Sequence, residues 1–338
     1  MARKPRIAIY GVGQYGQYIA RFATEKNWPI AAAYNRAGSK VGQDIGRLAG
    51  LGRDLGVVVQ DCETADYGSL DADIGIVTMT NFLRENMPAY QRLMNAGANV
   101  LCHGTQSYFP WGTDLEAARE IDALAKKNRV TFTGSGIWDM SRIWSGMTLA
   151  GPCTKISSLF HRSVTNAAAQ ASGKAQVLQL GAGLTVEEFE AKGFHRNPIA
   201  SSYKTIPEQV LFGLGYTIAD TRVSVEPVIN PKALESEFWG GVLPAGHCLG
   251  WRTVAEIDTV EGVTARAETE VRMTHPDEIE HTYWAIEGMP RNRSTIERLD
   301  SGHATIACLF NRIPDVINAP PGLIVLSLLG PLKPSALL

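Results

Sequence analysis

Over the first 145 residues, hydrophobic and polar positions follow two alternating rhythms. Short apolar runs appear at Arg6 to Tyr10, Ile30 to Tyr34, Asp73 to Met79, Asn99 to Cys102 and Val130 to Thr133. Between them, apolar residues recur at helical spacing, as at Ile19, Phe22 and Ala23, and again across 84–96 and 115–128. Short buried runs separated by amphipathic segments predict parallel strands joined by crossover helices, an α/β fold with a doubly wound sheet. Ligands of such sheets bind outside the carboxyl ends of the strands. The loops 78–83, 102–111 and 134–144 therefore become the places to look for a site.

After about residue 145 the rhythm changes. Helical stretches at Thr185 to Lys192 and Pro207 to Gly213 give way to β-type runs at Thr221 to Val228, His247 to Asp258, Gly262 to Thr274 and His281 to Gly288. Charged and apolar residues alternate in Arg266 to Met273, as on a half-solvated sheet face. These runs predict an α+β domain with an open mixed sheet over 146–301, following a first domain over 1–145. His195, Arg196 and Asn197 read as a polar helix end. Asp300, Ser301 and Gly302 read as a loop and cap before a helix that continues to Pro314. Pro320, Pro321 and Gly322 read as a turn.

Composition narrows the function. With 338 residues and 45% hydrophobic content, the chain can bury a core and is expected to form about two domains. A net charge of -2 with 20% charged residues gives no sign of a nucleic-acid partner or a polybasic membrane patch. The 5 cysteines are scattered without a C-x-x-C spacing, so neither a metal site nor a disulfide framework is expected, and the thiols read as buried and reduced. The first strand is too short for a signal-peptide core, and no apolar run reaches membrane-spanning length. A soluble, cytoplasmic protein is the expectation.

The chemistry starts at Gly11-Val12-Gly13-Gln14-Tyr15-Gly16, between a strand and a helix. A dinucleotide-binding Rossmann domain needs its glycines in that context. Gly11 permits a tight turn, Gly13 lets a pyrophosphate approach the backbone, and Gly16 lets the helix pack closely on the strand. The helix N-terminus then offers unpaired N–H groups to the phosphates. Gln14 and Tyr15 lie in the same loop, and Thr78 and Thr80 follow the strand at Asp73 to Met79. The second strand ends in Asn35 and Arg36, with Ser39 and Lys40 close behind and no acid to bind the ribose hydroxyls. A guanidinium there suits a 2′-phosphate, so NADP is the expected cofactor, with NAD as the alternative.

Five segments carry a resemblance. The glycine-rich start with the run N-R-A-G-S-K-V-G-Q-D-I-G-R-L-A-G (35–50), and N-R-I-P-D-V-I-N-A-P-P-G-L (311–323), resemble the dihydrodipicolinate-reductase-like superfamily. S-Y-F-P-W (107–111) and G-S-G-I-W-D (134–139) resemble, more narrowly, its branch of 2,4-diaminopentanoate dehydrogenases and native amine dehydrogenases. That resemblance implies a homodimeric, two-domain NAD(P)H enzyme that reduces an imine to an amine. The imine forms from a small ketone or aldehyde and ammonia, and the reverse reaction is oxidative deamination. It also implies that the C-terminal segment 302–338 completes the nucleotide domain, leaving 146–301 for substrate binding and dimerisation.

One residue departs from the resemblance. Ammonia-using members carry a glutamate before the aromatic-Pro-Trp segment, and Gln106 stands at that position here. Glutamine keeps an acceptor oxygen but cannot take a proton near neutral pH. Three explanations are open: an engineered Glu→Gln variant, a relative that reduces preformed imines, or a proton donor supplied by His103 or His161. The substrate pocket is expected in the interdomain cleft, suited to a small, fairly apolar carbonyl or imine together with ammonia or a primary amine. Gln106 and His103 are the catalytic candidates, His103 also facing the cofactor. Tyr108, Trp138, Ile143, Trp144, His161 and Asn166 are the candidates for the substrate, and Asn311 for support of the cofactor. A nonenzymatic NADP-binding sensor or regulator, and a dehydrogenase of another small carbonyl compound, are the competing readings.

Overall fold

Strands form where the short apolar runs fall. In the computed structural model, which describes residues 3–171 and 173–334, every residue of β1 (Ile7–Tyr10) is buried. The strands that follow are β2 (Ile30–Asn35), β3 (Val59–Asp61), β4 (Ile74–Val77), β5 (Asn99–Cys102) and β6 (Thr131–Gly134). Next come β7 (Lys155–Asn166), β8 (Ile218–Ile229), the short pair β9 (Leu234–Ser236) and β10 (Gly241–Leu243), β11 (Cys248–Thr259), β12 (Thr264–Arg272), β13 (Glu280–Met289), β14 (Asn292–Arg298) and β15 (Gly322–Leu323). The chain divides into two compact units, one running to Asp139 and resuming at Ala304, the other spanning Met140–His303.

The first unit holds an all-parallel sheet in the order β15-β6-β5-β4-β1-β2-β3. The chain reverses direction across the sheet between β1 and β4, which leaves a crevice at their carboxyl ends. One face packs Ile7, Ile9, Ile74 and Ile76 against Ile19 and Ala23 of helix α1 (Gln14–Glu25) and against Ile306, Leu309, Phe310 and Ile313. Those last four lie on the long helix Ser301–Asn318, so the C-terminal segment supplies core to this unit. Each such buried side chain contributes roughly 1.5–3 kcal/mol relative to exposure. The closing strand β15 pairs in parallel with β6, and Thr131 donates to the Pro320 carbonyl at 2.8 Å. Residues 335–338, part of the segment expected to complete the nucleotide domain, lie outside the described residues.

The second unit holds a six-stranded sheet in the order β14-β13-β7-β12-β11-β8. β7 and β12 run parallel and their other neighbours antiparallel, so the sheet is mixed. The chain thus has the expected fold class. Two of these strands were not expected from the apolar pattern. In β7 the inward residues include His161, Ser163 and Thr165, all buried, so its pattern is polar on the side that is normally apolar. β14 is polar on both faces apart from Ile296. His195 and Arg196 end the single 3-10 turn Phe194–Arg196, with Asn197 as its C-cap, so the polar helix end is found. Asn197 also starts the next helix, Pro198–Ser201, its side chain accepting from the N–H groups of Ile199 and Ala200. The reading of Asp300 as a cap fits its contact, since its carboxylate accepts from His303 N–H at 3.0 Å.

Candidate active site

The three glycines of the first loop have three separate reasons to be glycine. Gly11 has φ +104°, and a Cβ there would press on Thr78 and Met79 at 3.0 Å. A Cβ on Gly16 would lie 2.1 Å from the Gly11 carbonyl oxygen. A Cβ on Gly13 would meet nothing within 4 Å. Gly13 therefore guards open space in front of the backbone, and it caps α1 without any side-chain hydrogen bond or acid in the first turn. Bare N–H groups at a helix start beside an open backbone fit a pyrophosphate.

This loop is tied to its neighbours by side chains. Thr78 donates its hydroxyl to the Gly11 carbonyl at 2.7 Å. The Asn35 carbonyl oxygen accepts from Val12 N–H at 3.0 Å, and the Lys40 ammonium donates to the Val12 carbonyl at 2.6 Å. Arg36 and Ser39 are exposed, and among the described residues the Arg36 side chain has no hydrogen bond or ion pair. Further along, Asp44 accepts from the N–H groups of Gly46, Leu55 and Val57 at 2.7, 2.9 and 3.0 Å. Those bonds outweigh its burial and hold its carboxyl below the usual range. Asp44 thus gives the 43–57 segment its shape, a structural role for part of the 35–50 run.

The loops after β4, β5 and β6 gather the next candidates. His103 follows β5, with its ring 4.2 Å from the Tyr15 ring and its Nδ1 3.3 Å from the Tyr108 hydroxyl. Burial pushes His103 down to about 4, against a backbone hydrogen bond at Ser135 that acts the other way, so the imidazole is neutral near pH 7. Tyr108 also packs on Trp138, at 4.8 Å between ring centroids. Gly136 makes room for them: a Cβ there would lie 2.3 Å from the Tyr108 hydroxyl. Thr80 bonds within its own turn, accepting from Phe82 N–H at 3.2 Å. Gln106 lies in a single 3-10 turn, and its Oε1 accepts from Leu83 N–H at 3.0 Å. Leu83 opens helix α3 (Leu83–Asn95), whose own cap, Phe82, has no side-chain acceptor. (α2, between them in sequence, is the single turn Ile45–Leu48.) Because a backbone N–H only donates, it fixes which end of the Gln106 amide is oxygen.

Two of the signature runs meet in one buried contact. Asp139, from G-S-G-I-W-D, accepts a two-pronged contact from Arg312, from N-R-I-P, at 2.6 and 2.8 Å, with both side chains fully buried. Ser135 adds a hydrogen bond to the same carboxylate at 2.9 Å. Arg312 also reaches Asp315 and the Gly330 carbonyl. Nothing local in the sequence links the two runs, and only their joint occurrence in a chain could have hinted at the pair. Asn311 sits beside it on the long helix, partly exposed.

In the second unit, Ile143 is buried and Trp144 partly exposed. Asn166 caps a short helix by accepting from Ala168 N–H at 3.1 Å. His161 is fully buried, its ring 4.5 Å from that of Trp284. Burial first, then the charges of Arg142 and Arg298, push His161 well below its usual range. Both guanidiniums are buried and donate to the Thr165 hydroxyl, at 2.9 and 3.2 Å. Arg298 also reaches the Val164 carbonyl at 2.8 Å and the Glu280 carboxylate at 3.5 Å. Sequence reasoning named His161 but missed Arg142 and Arg298 as its neighbours; residues 142, 161 and 298 share no local motif.

The comparisons with known proteins agree with this architecture. A family profile described as the 2,4-diaminopentanoate dehydrogenase C-terminal domain matches residues 146–336. The chain belongs to that family. It is similar to the 2,4-diaminopentanoate dehydrogenase of Acetoanaerobium sticklandii, 26% identical over 352 residues, covering 95% of this chain and 92% of that protein. It is also similar to the solved amine dehydrogenase of Mycobacterium smegmatis, with a TM-score of 0.85, 29% identity, and coverage of 98% of this chain and 97% of that one. A probable dehydrogenase from Thermotoga maritima shares the fold, with a TM-score of 0.59 and 13% identity. The branch expected from the residues is thus the branch found. Among the described residues, no helix is long and apolar enough to cross a membrane, and no cluster of His, Cys, Asp and Glu could hold a metal ion.

Proposed function

We propose that this chain is an NAD(P)H-dependent oxidoreductase acting on CH–NH2 and C=N bonds, with NADP preferred over NAD. The observation that carries the reading is the open backbone at Gly13, before an uncapped helix, in a chain of the 2,4-diaminopentanoate dehydrogenase family. Gly11, Gly13, Gln14, Tyr15 and Gly16 would hold the pyrophosphate. The free guanidinium of Arg36 would meet a 2′-phosphate. A bound nicotinamide supplies or accepts the hydride at the carbon that bears nitrogen.

This chain's own residues orient the reactants and handle protons. Neutral His103, hydrogen-bonded to Tyr108, gives the loop a polar pair that carries no net charge near pH 7. Gln106, with its oxygen engaged by Leu83, offers an amide that can hold a ligand but cannot remove a proton from ammonium. That favours reduction of imines, formed from small ketones or aldehydes with ammonia or a primary amine, over activation of ammonia by the protein. A glutamate at 106 would find the same Leu83 N–H and the same helix start, both of which favour the ionised, basic form. The working protein is proposed to be a homodimer in the cytoplasm.

The test is NADPH oxidation by the purified protein with a small ketone and excess ammonium, and then with a primary amine, run beside Gln106→Glu. The expected result is that Gln106→Glu accelerates the ammonia reaction by about a hundredfold or more, the usual weight of a general base. Equal rates in both proteins would remove Gln106 from the proton-handling position. No NADPH oxidation by either protein would remove the activity itself.

A further inference from the structure

Asn35, Arg36, Ser39 and Lys40 cluster at the end of β2 and just beyond it, and sequence alone casts all four as contacts to the cofactor's ribose and its phosphate. Their bonds divide them differently. Val12 sits between Gly11 and Gly13, and both of its backbone groups are held by side chains from the 35–40 segment. Asn35 Oδ1 takes its N–H at 3.0 Å, and Lys40 Nζ takes its carbonyl at 2.6 Å. The Asn35 amide is itself oriented, donating from Nδ2 to the Arg36 carbonyl at 2.9 Å. Lys40 is half-buried, whereas Arg36 is exposed with no partner among the described residues. The segment that carries Lys40 is fixed too: Gly42 N–H donates to the Val59 carbonyl and Val59 N–H to the Gln43 carbonyl, both at 2.9 Å.

We infer that Lys40 is a positioning residue that clamps the pyrophosphate loop for either cofactor, and that discrimination of the 2′-phosphate falls to Arg36. This rests on the dinucleotide reading above. An ammonium on a carbonyl is a charge-assisted bond, stronger than its neutral counterpart. It holds Val12 so that Gly13 and the start of α1 present their N–H groups in one geometry. The pyrophosphate is common to NADH and NADPH, so losing the clamp must weaken both. The 2′-phosphate belongs to NADPH alone, so losing its guanidinium partner must weaken one.

The test is fluorescence titration of the intact protein with NADPH and with NADH, for wild type, Lys40→Met, Lys40→Arg and Arg36→Ala. Thermal unfolding confirms that each variant is folded. Lys40→Met is expected to weaken both cofactors by about tenfold, the weight of one charge-assisted bond, and to leave their ratio within about twofold of wild type. Lys40→Arg keeps a donor and restores both. Arg36→Ala is expected to weaken NADPH by about tenfold or more and leave NADH nearly unchanged. A Lys40→Met variant that loses NADPH selectively, or loses neither cofactor, overturns the clamp. Wild-type protein that binds neither dinucleotide overturns the reading beneath it, and the clamp falls with it.

Discussion

Arg312 in the first unit and Arg298 in the second are both buried, yet their charges are met differently. Burial disfavours the charge of Arg312, but two bonds to Asp139 and one to Asp315 outweigh that and raise its pKa. Arg298 is pushed down to about 10, by burial first and then by the charge of Arg142, and Glu280 at 3.5 Å only partly offsets this. The first unit pairs its buried cation completely. The second also pairs one buried cation, Arg272, with Glu270 and Glu278, but it brings Arg142 and Arg298 together on one hydroxyl, that of Thr165, beside a neutralised histidine. A buried cation bonded to its own carboxylates behaves as a rivet, whereas two buried cations close together each raise the electrostatic cost of the other. Arg312 and Arg298 should therefore respond differently to the same kind of substitution.

The largest expected effect is at the rivet. Arg312→Met leaves Asp139 buried and without its cation, and should lower unfolding free energy by about 3–5 kcal/mol in denaturant titration. Arg298→Met removes a bonded group but also relieves Arg142 and His161, and should cost clearly less, about 1–3 kcal/mol. Equal costs would erase the contrast between the two units.

Acid sharpens the comparison. His161 has its pKa depressed in the folded state, so the unfolded chain binds the extra proton. Its contribution is therefore intact above the unfolded value of about 6.5 and declines as pH falls below it, with a slope of up to about 1.4 kcal/mol per pH unit. His103, depressed to about 4, adds to the same loss between pH 6.5 and its own folded value. Arg298→Met should flatten the part due to His161, because one of the charges that depress it is gone. An unchanged pH profile in Arg298→Met would show that Arg298 does not act on His161.

The smallest effects belong to the loops of the first unit. Gly13→Ala places its Cβ in open space, so stability should change by no more than about 1 kcal/mol. Cofactor affinity should nevertheless fall by about tenfold or more, since that space is the proposed pyrophosphate site. Gln106→Ala removes the acceptor for Leu83 N–H and should cost about 1 kcal/mol, a cost that Gln106→Glu avoids.

The same contrast explains what could be read from the chain. The glycine loop, β1 and α1 are contiguous, and each glycine acts on a neighbour within a few residues or on the adjoining strand, so composition and spacing sufficed. The open-space role of Gly13 and the packing role of Gly16 were both legible. The bond of Lys40 to the Val12 carbonyl was not, because a cation near such a loop can serve either a ligand or the loop itself, and spacing does not separate the two. β7 was missed because His161, Ser163 and Thr165 turn polar groups inward, which inverts the alternation that marks a strand. The Asp139–Arg312 pair joins positions 173 residues apart, beyond the reach of any local pattern.

The most direct test of the central claim is isotopic. The protein would be incubated with NADPH carrying deuterium at the transferable position, together with a small ketone and a primary amine, and the product examined by mass spectrometry. One deuterium on the carbon that bears nitrogen is the expected result, and its yield should fall in Gly13→Ala at the same, subsaturating cofactor concentration. Deuterium on a carbon that bears oxygen instead, or product formation that survives Gly13→Ala undiminished, would contradict the account.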